Sequence, residues 1–104
     1  MIHTDLYIAV GDDRTSLPNA EWDSFIDEVV VPRFPRGFSV MPGDGLWHNM
    51  TLRRTQRLQL RVLVIFHDDS QDDRRKVEEV VSEWKKRYPC ESVMRVERIV
   101  DVTF

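Results

Sequence analysis

Residues 20–47 read AEWDSFIDEVVVPRFPRGFSVMPGDGLW, and the order of signals inside them decides the fold class. Trp22, Phe25, Ile26, Val29 and Val30 recur at i, i+3, i+4, i+7 and i+8, an apolar stripe of helical period, with Glu21, Asp23, Asp27 and Glu28 on the other side. Such a helix has to lie on something. Pro32 is expected to end it, Pro35 to keep the chain extended, and Gly37 to supply the permissive backbone from which Phe38-Ser39-Val40-Met41 starts as a strand. Pro42-Gly43-Asp44-Gly45 then reads as a turn, and Leu46-Trp47-His48 with Thr51-Leu52-Arg53 as a small hairpin around Asn49-Met50.

Upstream of this stretch, TDLYIAVG at 4–11 is a first strand closed by Gly11-Asp12-Asp13, and Ser16 or Asn19 caps the helix with Pro18 in its first turn. Downstream, QLRVLVIFH at 59–67 is the strongest strand of the chain, dense in β-branched residues. Val77, Val80, Val81, Trp84 and Tyr88 mark a second helix, with Asp72 and Asp73 at its positive end, Lys85, Lys86 and Arg87 at its negative end, and Pro89 as its stop. The tail SVMRVERIVDVTF alternates as a fourth strand with a bend near Ile99. The element order is therefore β-α-β-β-α-β. It predicts a ferredoxin-like α+β fold, a four-stranded antiparallel sheet with two helices on one face, as one domain over residues 1–104.

At 104 residues the chain is long enough for one core and too short for two. Apolar residues make up 41% and charged residues 32%, which excludes a disordered chain, and the net charge of −3 gives no general attraction to nucleic acid or anionic membrane. A single cysteine, Cys90, excludes an internal disulfide, and no apolar run reaches membrane-spanning length. The N-terminus lacks the basic start and apolar stretch of a signal peptide, so a cytoplasmic protein is expected, with nucleic acid an improbable partner and no membrane segment.

Alternation along the strands sorts side chains to two faces. The first strand sends Leu6, Ile8 and Val10 one way and Tyr7 and Ala9 the other; the third is read as sending Leu60, Val62, Val64 and Phe66 to the helices and Arg61, Leu63, Ile65 and His67 to the open face. An open face so apolar should be covered, and a second copy covers it most simply, giving a homodimer of the dimeric α+β barrel type. Arg61, His67, Arg95 and Glu97 would then line or rim an enclosed cavity.

The segments TDLYIAVG, VVVPRFPRGFSV, GDGLW, VLVIFH and ESVMRV together resemble a family of small bacterial domains of unknown function over nearly the whole chain. The resemblance implies a ferredoxin-like element order and carries no activity and no catalytic residue. The family's glycine-bearing turn and acidic residue before strand three are replaced here by Asn49-Met50 and Thr55.

His67, at the end of a central strand beside Asp68 and Asp69, is the candidate acid or base, with Tyr7 as its partner. Arg61, Arg95, Glu97, Ile65, Trp47 and His48 are the ligand-binding candidates. None of His3, His48 and His67 has a metal-ligating partner at helical or strand spacing, so no metal and no cofactor are expected, and His3 and His48 read as ordinary surface histidines. Cys90 reads as a bystander thiol. The paired aspartates are explained by turns and caps. Residues 45–67 hold Arg53, Arg54, Arg57 and Arg61 and no acid, able to grip a carboxylate or phosphate but more simply a solvated basic loop. Strand one has one aromatic where RNA-recognition domains stack bases; strand three lacks the companion aromatics and glycine. Three readings follow: a small molecule, anionic ones included, bound in a sheet-face cavity of a homodimer; a cofactor-independent lyase, isomerase or cyclase using His67 and Tyr7; or a non-catalytic assembly module.

Overall fold

A computed structural model of the chain describes residues 1–89 and 93–104, and among them the side chain of every residue except Trp47. Strands β1 (Ile2–Gly11), β2 (Ser39–Asn49), β3 (Arg54–His67) and β4 (Met94–Ile99) form one antiparallel sheet in the order β2-β3-β1-β4. Helix α1 runs through three consecutive segments, α-helical Asn19–Phe25, π-helical Ile26–Val30 and α-helical Val31–Arg33; helix α2 spans Gln71–Arg87. The fold class is α+β. Both helices pack on one side of the sheet, where Leu6, Ile8, Leu63 and Ile65 meet Phe25, Val30, Val77 and Val80 in a single sealed core.

The apolar stripe of α1 is buried as its period requires, and its acidic residues are exposed. Two details differ from expectation. Pro18 itself occupies the cap position and no side chain caps the helix, because neither Ser16 nor Asn19 reaches a free N–H. Nor does Pro32 end the helix. The turn before it widens, so that the Val31 N–H bonds the Ile26 carbonyl five residues back; Pro32, with no N–H to give, follows at once, and the Phe34 N–H still reaches Val30 O at 2.9 Å. Gly37, with φ of 127°, then makes the turn into β2 that a side chain would strain.

Trp22 and Trp84, one from each helix, are 7% and 2% exposed and meet edge to face at 5.5 Å. Helix α2 is capped by the Ser70 hydroxyl, which accepts the Asp73 N–H at 3.1 Å, and carries Asp72 and Asp73 in its first turn and Lys85, Lys86 and Arg87 in its last.

Pro42-Gly43-Asp44-Gly45 is no turn. β2 runs straight through it as an edge strand, where a missing N–H on the solvent side costs no ladder bond. The reversal comes at 50–53, where the Asn49 side chain accepts the Leu52 N–H at 2.9 Å and Arg53 takes a φ of 51°. β1 ends at a bulge with Gly11 against the 12–16 loop: a Cβ there would sit 2.5 Å from the Thr15 carbonyl oxygen. Because pairing of β1 with β3 stops at Gly11 and Gln59, the outer parts of β2 and β3 continue as a two-stranded arm. β4 ends at Ile99, near the expected bend. Among the described residues no helix is long and apolar enough to cross a membrane. Cys90 lies outside the described residues.

Candidate functional site

Register fixes which side chains share a face. Leu6 pairs with Leu63 and with Arg95, Thr4 with Ile65 and Glu97, and Ile2 with His67, so these all lie on the helix side. The phase read for the third strand is therefore reversed. Leu63 and Ile65 are core residues, while Leu60, Val62, Val64 and Phe66 belong to the open face. Both parities of this strand are apolar, and Arg61 and His67 look like outward residues until their partners are known.

His67 is buried on the helix side with both ring nitrogens taken. The Asp68 carbonyl can only accept, so Nδ1–H donates to it at 2.9 Å, and Nε2 accepts the Thr4 hydroxyl at 2.7 Å. It does not face Tyr7, and the proposed acid–base pair is not brought together. Arg61 shares the helix side, in register with Ile8, and donates to the Leu60 carbonyl at 3.3 Å. Arg95 and Glu97 form a surface network with α2: Arg95 Nε donates to Glu97 at 2.7 Å, another of its nitrogens to Glu78, and Arg74 stands 3.6 Å from Glu97. Burial pulls the Arg95 guanidinium down, but its bonds to Glu97 and Glu78 outweigh this and hold it above its ordinary range. These charges are spoken for. His48 is exposed on the arm; the side chain of Trp47 lies outside the described part of the structure. Arg53, Arg54 and Arg57 are exposed there and make no ion pair among the described residues.

The open face instead assembles in rows across the sheet. Arg98, His3 and Phe66 form one row, Val96, Asp5, Val64 and Ser39 the next, and Met94, Tyr7, Val62 and Met41 the third. At its centre Asp5 is 8% exposed, and its Oδ1 accepts the His3 Nε2–H at 2.7 Å. The His3 ring stacks on Phe66 with centroids 4.7 Å apart. A carboxylate that orients an imidazole, with a phenol two residues further along the same strand, is a set able to bind a polar group or move a proton. The sequence did hold its signal, since residues two apart on a strand share a face. With the strand begun at Thr4, however, His3 fell outside it.

Among the described residues two clefts stand out beside the sheet, and neither is lined by Asp5 or Tyr7. One of about 350 Å³ lies between the Gly11 bulge and Trp84 and Tyr88, where burial and then the charge of Glu21 push the Tyr88 phenol up. The other, of about 550 Å³, lies where β2 begins and is walled by Phe34, Arg36, Phe66 and His67. The open face itself is a surface that becomes a cavity only when covered. Among the described residues no three His, Cys, Asp or Glu side chains converge to hold a metal ion.

No curated protein matches the chain. A solved structure of similar fold is a phage SAM lyase in complex with S-methyl-5′-thioadenosine, at 13% identity and a TM-score of 0.56, over 93% of this chain and 79% of that one. At that identity the likeness speaks for the fold alone. Residues 3–104 match the family described as protein of unknown function (DUF3574), and to that family the chain belongs.

Proposed function

We propose that the chain is a ferredoxin-like domain that pairs with a second copy through its open sheet face, as a dimeric α+β barrel, and binds a small molecule between the two sheets. Asp5 carries this reading: a carboxylate almost closed off from water, set in a face whose neighbouring positions are Tyr7, Val62, Val64, Met94 and Val96. The strand order β2-β3-β1-β4 with both helices on one side supports the fold assignment. Exposed Met41, Phe66 and Met94 support a covered face, since large apolar side chains gathered on one sheet face are a common mark of an interface. The similar phage enzyme holds S-methyl-5′-thioadenosine, which makes that thioether and its sulfonium parent S-adenosylmethionine the first ligands to try.

The experiment is sedimentation velocity of the chain up to high micromolar concentration, followed by calorimetric titration of both compounds. A dimer that takes up one of them is expected. A monomer at every concentration overturns the reading, and a dimer that binds neither turns it toward a non-catalytic assembly module. A second reading, a cofactor-independent lyase, isomerase or cyclase, is favoured by the 2.7 Å contact of His3 with Asp5. In it His3 replaces His67 as the base and Tyr7 keeps the role of acid.

A further inference from the structure

We infer that the molecule bound on the open face is an organic cation, a quaternary ammonium or sulfonium group seated against Asp5; this rests on the binding reading above and names its ligand class. Of the two carboxylate oxygens of Asp5, Oδ1 is bonded to His3, and Oδ2 has no hydrogen-bond partner among the described residues. Among the described residues no side-chain oxygen or nitrogen sealed from solvent lacks a partner, so Oδ2 still meets water in a single copy. Covering the face removes that water. An uncompensated carboxylate then becomes costly, and a second copy adds a second Asp5 to the same layer.

Compensation from the protein is thin. The neighbouring positions across the sheet, Val96 and Val64, and those of the next row, Met94 and Val62, are all uncharged; the nearest cation by register, Arg98, is an exposed residue of the edge strand in the row of His3. His3 is held in one orientation by its stack on Phe66 and gives Asp5 a single hydrogen bond. What the face offers a ligand is therefore one negative charge flanked by aromatic rings, Tyr7 two residues along the same strand and Phe66 beside His3. That is the pairing that attracts a cation too bulky for hydrogen bonds, through charge and through the ring faces. An anion would meet the Asp5 carboxylate itself; Arg95 lies on the opposite side of the sheet and is already paired, and Arg98 stands one row away on the exposed edge strand.

The test compares two probes of nearly the same shape, the N,N,N-trimethylanilinium ion and uncharged N,N-dimethylaniline, at mildly alkaline pH. Binding is followed by NMR shifts of the β1 amides in the folded protein. Expected is a preference for the cation of about tenfold or more, lost in Asp5→Asn while the neutral probe binds as before. Tyr7→Leu, which leaves the carboxylate in place, should weaken the cation and leave the neutral probe unchanged, so the inference stays open to refutation if Asp5→Asn fails to fold. Equal binding of both probes to a dimer, or binding of neither, overturns the cation inference and leaves dimerisation standing. A wild-type monomer that binds neither removes the binding reading itself.

Discussion

The imidazole of His67 and the hydroxyl of Thr4 meet at 2.7 Å across neighbouring strands, both buried on the helix side of the sheet. This contact makes His67 a structural residue. Thr4→Val should leave Nε2 without a donor and cost about 1–3 kcal/mol in urea denaturation. His67→Ala should lower stability as well, with no effect on any ligand of the open face. Loss of ligand binding at unchanged stability in His67→Ala would return this residue to the site.

The reversed phase of β3 changes what an aspartate does there. Leu63 is fully buried in the core, so Leu63→Asp should unfold the domain, at a cost of about 4 kcal/mol or more. Met41→Asp and Met94→Asp alter residues 49% and 56% exposed on the open face, and should give folded monomers. Circular dichroism with sedimentation separates the two outcomes; a folded Leu63→Asp protein contradicts the register.

Trp22 and Trp84 should both be shielded from acrylamide when fluorescence is measured in a Trp47→Phe background. Trp84→Ala, which removes a side chain stacked among Trp22, Phe25 and Tyr88, should cost about 3–5 kcal/mol. Quenching of either tryptophan as efficient as in the unfolded chain would mean that a helix is rotated from the phase described.

The widened turn of α1 is tied to Pro32. In Pro32→Ala the missing donor is restored, and the turn is expected to tighten, so that the Val31 N–H moves from the Ile26 carbonyl to that of Asp27. Hydrogen-bond scalar couplings read the acceptor directly. An unchanged Ile26 acceptor would place the cause in the packing of Val29 and Val30 instead.

Three surface carboxyls are held below their ordinary range: Asp12 by the Thr15 and Arg14 backbone N–H groups, Glu28 by Arg87 and Ser24, and Asp72 by Arg75 and Lys76. A group whose folded value is depressed gives stability that is present above its unfolded value and lost as pH falls through the folded one. Stability should therefore decline on acidification below the usual carboxylate range. Asp12→Asn should flatten part of that decline, and an identical acid limb would show that Asp12 contributes nothing.

Much of this fold was legible because one-sided elements announce their faces. The stripe of α1, the alternation of β1 and the charged ends of α2 each admit one arrangement, and these are the arrangements found. β3 is apolar on both parities, and what settles its phase is a bond between Thr4 and His67, sixty-three residues apart, which no local window contains. Pro42 and the two glycines beside it signal a turn wherever a strand has neighbours on both sides; β2 escapes because it has one. The His3–Asp5 pair was missed for a smaller reason, a strand boundary set two residues late.

Among the described residues the arm formed by the outer parts of β2 and β3 pairs with no third strand, and it is its inner end, at Leu58, that reaches the cleft beside Trp84 and Tyr88, so the order of its tip is only loosely tied to the cooperative unit that contains Trp84 and Leu6. Its amides should exchange with solvent hydrogen through openings far cheaper than global unfolding. A partner that grips the arginines of this arm would show itself first as slowed exchange in residues 45–58, at concentrations too low to move the melting temperature.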